Sequence, residues 1–284
     1  MNSQQINYKL TQLDLKAKLN EQQYPFQFSS IVIKNDSIIL VAEKCNRIYI
    51  LNKKTLDVIS VINDLVFPKD KVSIEGVVLY KNRYLFLLDE NNTAIYSYDL
   101  KDQKSNIKRI DDNSLEGNQY KLEGIAINEK DSICYVLHED KLKIYLFDIG
   151  KDNQLKKRER INSINLPKDN ISWTRNTDLV YENNQLYVLS TTYGDGKPDK
   201  LKYGISLFSI GGDYTLTYQN TIELIFPESF DYYRLERYST NLEGLVKDSN
   251  LFYVISDNAD SDRDNCDTQI NGIKKTLFFK LERE

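Results

Sequence analysis

The chain is short of the residues that build most cross-linked, zinc-bound or nucleophile-driven sites. Its 284 residues include 3 Cys, 1 His, 1 Met, 1 Trp and 5 Pro. Cys45, Cys134 and Cys266 are odd in number, far apart and free of any Cys-x-x-Cys pair, which excludes a disulfide framework and a zinc site. So few prolines and a single methionine exclude a Pro-rich chain and a Met-rich binding groove. No Gly-x-Ser-x-Gly elbow and no Gly-rich phosphate loop is present, so serine-hydrolase and nucleotide-binding folds find no support. Positive charge is not in excess either: 38 Lys+Arg against 42 Asp+Glu give a net charge of -4, which argues against a nucleic-acid partner. No apolar run is long enough for a membrane span. The first residues, MNSQQINYKLTQLDL, lack the basic and apolar blocks of a signal peptide. The expected compartment is cytoplasmic, or secreted or periplasmic if the chain is a mature form.

What is abundant is alternation. Hydrophobic residues make up 40% of the chain and 20 residues are Tyr, spread through short period-2 segments broken by Asn/Asp turns. One unit recurs five times. It begins at Phe28 (FSSIVIKNDSIILVAEKCNRIYILN), Ser73 (SIEGVVLYKNRYLFLLDENNTAIYSYDL), Lys121 (KLEGIAINEKDSICYVLHEDKLKIYLFDI), Asn176 (NTDLVYENNQLYVLSTTYG, continuing at Tyr203) and Asn241 (NLEGLVKDSNLFYVISDN, continuing at Lys274). Each unit reads as strand, tight turn, strand, polar loop, strand. A weaker fourth strand follows at Asp57 to Ile62, Asn106 to Ile110 and Thr217 to Ile225. Spacings from the mid-forties to the mid-sixties match four-stranded propeller blades. The last unit lacks an outer strand and the chain opens on an orphan strand-like segment, Ile6 to Leu15. The expectation is therefore an all-β, five-bladed β-propeller forming a single domain, closed by the N-terminal strand (1–20) completing the last blade. Blades are expected near 28–67, 72–115, 120–166, 175–226 and 240–284. The sustained alternation excludes a helical solenoid, and the lack of Gly-His and Trp-Asp pairs excludes a WD40 array.

In such a fold the first strand of each blade lines a central channel. Aligned units place Ser29, Glu75, Glu123, Thr177 and Glu243 at equivalent positions near one mouth, and the three glutamates are each followed by Gly and an aliphatic residue. Two carboxylates 4 Å apart repel by about 4 kcal/mol at an effective dielectric near 20. Protonation, water or a cation must relieve the repulsion. A ring of oxygen ligands without His or Cys suits a hard ion, Ca²⁺ before Mg²⁺. The alternative is structural: the glutamates cap backbone amides and the glycines let strands crowd at the axis.

The order hydroxyl, Glu, Glu, hydroxyl, Glu resembles that of the calcium-activated nucleotidases, or apyrases, as does the first unit from Ser29 through Asn35 to Ile48-Tyr49. The Glu-Gly-aliphatic repeats, with Asn241 to Leu245 followed by Ser256-Asp257-Asn258, are also similar to esterase-like phytase propellers. The nucleotidase resemblance implies an axial Ca²⁺ held by Ser29, Glu75, Glu123, Thr177 and Glu243, and hydrolysis of a phosphate-containing substrate. The chain departs from that family where an Asp-Asp-Arg-Thr-Gly loop belongs. It reads Ala42-Glu43-Lys44-Cys45-Asn46 there.

Two function classes remain in view. One is a calcium-dependent phosphohydrolase in which Arg175, Tyr193, Arg234 and Arg237 steady the anion and His138 or Asp257 moves a proton. The other is a non-catalytic propeller with a structural cation, binding a protein, glycan or small ligand at one face. A monomer is expected in either case. The loops after the second strands (Glu43, Asp89, Glu90, His138, Glu139, Thr191, Asp257) are expected to form a second polar ring at the opposite mouth. The acidic stretch Asp257 to Asp267 and the aromatic cluster Phe226 to Tyr238 with Trp173 are read as loop features, and the basic run Lys151 to Arg160 as a solvated loop or outer strand, or a hint of an acidic partner.

Overall fold

A computed structural model describes residues 8–13, 15, 28–43, 46–63, 65–102, 107–115, 121–139, 141–167, 175–192, 202–225, 242–256 and 278–283. Within them every regular element is a β-strand, and the strands form five antiparallel sheets arranged as the blades of a propeller. The chain starts with β1 (Tyr8–Leu13). Blade one is β2 (Phe28–Lys34), β3 (Ser37–Ala42), β4 (Ile48–Asn52) and β5 (Val58–Ile62). Blade two is β6 (Ile74–Tyr80), β7 (Tyr84–Asp89), β8 (Ala94–Asp99) and β9 (Lys108–Arg109). Blade three has β10 (Leu122–Asn128), β11 (Ile133–His138), β12 (Lys143–Ile149), β13 (Leu155–Lys157) and β14 (Ser163–Asn165). Blade four is β15 (Arg175–Glu182), β16 (Gln185–Thr192), β17 (Lys202–Ile210) and β18 (Leu216–Glu223). Blade five has β19 (Leu242–Asp248), β20 (Leu251–Ser256) and β21 (Phe278–Arg283), and β1 completes it by pairing antiparallel with β21 from Tyr8↔Arg283 to Leu13↔Phe278.

Turn chemistry and burial explain why these segments form strands. Asn183 and Asn184 both take positive φ between β15 and β16, and Asn35 does so between β2 and β3. Asn tolerates that region and twists the hairpin in the sense the strands require. The middle strands are apolar on both faces because each blade is covered by two neighbours. In β7, Leu85 and Leu87 pack toward blade one while Phe86 and Leu88 pack toward blade three. The core is therefore five apolar seams, one at each blade-to-blade interface. Each fully buried Leu or Phe in them contributes about 1.5–3 kcal/mol.

Blade three departs from the expected pattern. Its outer position, which sequence alternation alone missed, is shared by two short strands, β13 on Phe147 to Ile149 and β14 on Lys143 to Tyr145. The outer strand of blade two is shorter than expected, reduced to Lys108–Arg109. Part of the basic run Lys151 to Arg160 is thus outer strand. Arg158 in it pairs with Asp148 at 3.0 Å and lies over the Tyr214 ring. Among the described residues no helix is long and apolar enough to cross a membrane.

Candidate functional site

The inner strands β2, β6, β10, β15 and β19 each contact the next around a closed ring. Every one carries a β-bulge at the same place. The ladder slips by one residue between Phe28 and Ser30, Ile74 and Gly76, Leu122 and Ile125, Asn176 and Asp178, and Leu242 and Gly244. The residues spanned by these slips include Ser29, Glu75, Glu123, Thr177 and Glu243, the five positions singled out by repeat alignment. A bulge places two residues opposite one and re-aims a side chain, and it is the local device that sets these five apart from the alternation around them.

The following position explains the Glu-Gly pairs. A Cβ on Gly76 would lie 3.0 Å from the carbonyl oxygen of Glu123 in the next blade, and one on Gly124 would lie 2.8 Å from the Cα of Asp178. On Gly244 it would lie 3.2 Å from the carbonyl oxygen of Ser29. Where glycine is absent, a polar side chain ties the same gap. Ser30 Oγ donates to the Glu75 carbonyl at 2.8 Å, and Asp178 accepts from Leu245 N at 2.7 Å and from Leu179 N at 2.8 Å. Burial holds the Asp178 carboxyl well above the usual range. This crowding is the part of the structural alternative that holds.

The ring hydroxyls also link blades: Ser29 Oγ donates to Ile74 O and Thr177 Oγ1 to Leu242 O at 2.7 Å. The described contacts of Glu75 and Glu123 are to side chains. Arg175 Nη2 lies 3.1 Å from both Glu123 Oε1 and Glu243 Oε1, and its Nε pairs with Glu139. Ser73 Oγ donates to Glu43 Oε1 at 2.7 Å and lies 3.0 Å from Glu75 Oε1. A hydroxyl has one hydrogen to give. The second contact is satisfied when Glu75 carries a proton and donates to Ser73. Burial first, then the charges of Glu43, Glu123, Glu243 and Glu90, push Glu75 well above the ordinary carboxylate range. Glu123 is pushed up to about 8, because burial with Glu139 and Glu90 outweighs the guanidinium beside it. Its Oε2 is buried with no hydrogen-bond partner among the described residues.

These contacts correct the expected placement of the second polar ring. Glu43 and Glu139 touch the same cluster as Glu75 and Glu123, so the ends of the second strands lie at the same mouth as the starts of the first. The reason is the antiparallel hairpin. Ala42 pairs with Phe28, Asp89 with Ile74, His138 with Leu122, and Thr191 with Arg175, which puts Glu43, Glu90, Glu139 and Thr191 one step beyond the ring. His138 is not a loop residue but the last residue of β11, and it is buried. Asp257, Tyr193, Arg234, Arg237, Trp173, Cys45, Cys266 and the stretches 226–238 and 257–267 lie outside the described residues. Cys134 is a buried free thiol, as its place in an alternating strand implies.

Sequence reading missed the role of Arg175 and the membership of Ser73 in the cluster. The signal was their shared place two residues before the ring position, where blade three has Lys121, 3.2 Å from Glu139 Oε2. The donor set fits a hard cation by its chemistry: carboxylates and hydroxyls, with one buried carboxylate oxygen unpartnered. It is not preassembled, since among the described residues no three acidic, His or Cys groups stand grouped for a metal.

No family model and no curated protein matches the chain. Among solved structures it is similar to a luciferin-regenerating enzyme at 10% identity and a TM-score of 0.49, covering 91% of this chain and 78% of that one. It is also similar to a catalytically inactive virginiamycin B lyase from Staphylococcus aureus with quinupristin, at 10% identity and a TM-score of 0.48, covering 97% and 99%. Likeness at this level transfers neither substrate nor chemistry.

Proposed function

We propose that the channel mouth is a calcium site, and that the protein is a calcium-dependent hydrolase of a phosphate-containing substrate. One observation carries the reading. Glu43, Glu75, Glu123, Glu139 and Glu243 are all buried at the mouth, against Arg175 as the single buried cation among the described residues. Buried carboxylates that outnumber their cations are costly, and the surplus invites a proton or a hard cation. Glu75, Glu123 and Glu243 would hold the ion through carboxylate oxygens. Ser29 and Thr177 donate outward to backbone carbonyls, which leaves their lone pairs to accept.

A bound Ca²⁺ supplies a Lewis acid for a phosphoryl oxygen. The protein's own groups supply the rest. Lys121, 56% exposed by side chain, offers a positive charge to an anionic substrate at the rim. Glu90 is half-buried one step beyond the ring, and its pKa is raised by burial and then by Glu139 and Glu43. That places it to accept a proton from water. Glu75 would release its proton on metal binding, as ligands of hard cations do.

The test is thermal denaturation in EDTA and in millimolar CaCl₂, followed by phosphate release from nucleotides and simple phosphoesters. The expected result is a higher Tm with calcium and turnover abolished by chelation. An ion at 100 times its Kd stabilises by about 2.7 kcal/mol. An unchanged Tm removes the calcium site. A raised Tm without turnover leaves a non-catalytic propeller with a structural cation.

A further inference from the structure

We propose that Arg175 is the resident counter-cation of the mouth and sets its affinity for calcium, because an ion at Glu123 and Glu243 competes for carboxylates that the guanidinium already holds through Oε1. The inference rests on the calcium reading above and adds a competitor to it. Three observations carry it. First, one nitrogen of Arg175 lies 3.1 Å from a carboxylate oxygen of each glutamate, so a single planar group already bridges two of the three ring carboxylates. Second, its Nε pairs with Glu139, and the side chain is 9% exposed, so the fork is anchored and cannot step into solvent without losing all three partners. Third, Ser73 and Lys121 take the corresponding place before β6 and β10, and each reaches a glutamate beyond the ring, Glu43 and Glu139 respectively. Arg175 is the group at this place long enough to serve Glu139 and the ring together. A divalent ion beside an unmoved guanidinium would be repelled at short range in a buried site. Binding and displacement are therefore coupled.

Isothermal titration of metal-stripped protein with CaCl₂, together with Tm in EDTA, tests this on the wild type, Arg175→Gln and Arg175→Lys. Arg175→Gln is expected to bind calcium about tenfold or more tightly, a coupling of ordinary size. Its Tm in EDTA is expected to fall below the wild-type value and to recover with calcium. Arg175→Lys, which keeps the charge without the fork, should fall between. If the wild type binds calcium and both variants bind it no more tightly, the competition is overturned and the calcium site stands. If none of the three binds calcium, both fall. Should Arg175→Gln fold only in calcium, titration of the calcium-loaded variant with a chelator gives the same affinity, and Arg175→Lys supplies the second value.

Discussion

The two sides of the channel mouth neutralise their carboxylates by different means. On the side of blades three, four and five, Arg175 holds Glu123, Glu139 and Glu243 with one guanidinium. On the side of blades one and two, Glu75 and Glu43 share the hydroxyl of Ser73. The first side relies on a fixed charge, the second on a proton. A fixed charge is present at every pH, whereas a proton can be exchanged for another cation. In the proposed calcium site, the blade-two side is therefore where an ion would gain most and displace least, and the blade-four side is where it would meet resistance.

The largest expected effect comes from removing the fixed charge. Arg175→Gln in metal-free protein should cost about 3–5 kcal/mol by thermal or urea denaturation, because buried carboxylates lose their counter-ion. Free guanidinium at low millimolar concentration should return part of the loss. A cost under ~1 kcal/mol would mean that the guanidinium carries little of the mouth's stability. Next in size is Gly124→Ala, expected at about 1–3 kcal/mol because its Cβ meets the backbone of blade four at 2.8 Å. Wild-type stability from that change would show that the blades have room to part.

Raised carboxyls on both sides of the mouth give a pH signature. Glu75, Glu123 and Asp178 all have folded pKa values above their unfolded ones, so the folded chain binds protons more tightly. Their contribution is complete below the ordinary carboxylate range and is lost as pH rises through the folded values, toward about 8 for Glu123. Tm in EDTA should therefore decline from pH 5 to pH 8, and a rising profile would contradict the assignment. The smallest expected effect is Glu75→Gln, which replaces a protonated acid by a neutral isostere and should change metal-free stability by less than ~1 kcal/mol. The same change should weaken calcium-dependent stabilisation, while Glu159→Gln, on an exposed surface pair, should leave it intact. Equal effects of the two would argue against Glu75 as a ligand.

Much of the fold is legible in the sequence because alternation, Asn turns and the orphan strand at 6–15 are local signals of a global closure. The five ring positions are legible for a related reason. A bulge shifts the apolar alternation by one step, so a polar residue appears where the next repeat also has one. Arg175 was not legible as a counter-ion, since its partners come from the two blades that flank its own and no spacing along the chain encodes that convergence. The error over the second ring had a simpler source. The antiparallel turn from β6 into β7 brings Asp89 back to the level of Ile74, so both strands' ends meet at one mouth. Blade three's split outer strand escaped because Leu155–Lys157 and Ser163–Asn165 are each too short to alternate.

The repeated bulge separates chemistry from architecture. A side chain at the extra residue sits outside the regular cross-strand register, so replacing it leaves the neighbouring rungs of every sheet as they were. Ser29, Glu75, Glu123, Thr177 and Glu243 are accordingly five side chains mounted on one backbone frame, tied to it through their tips. Relatives of this chain could carry wholly different side chains there, and so different ligands, without any blade having to refold.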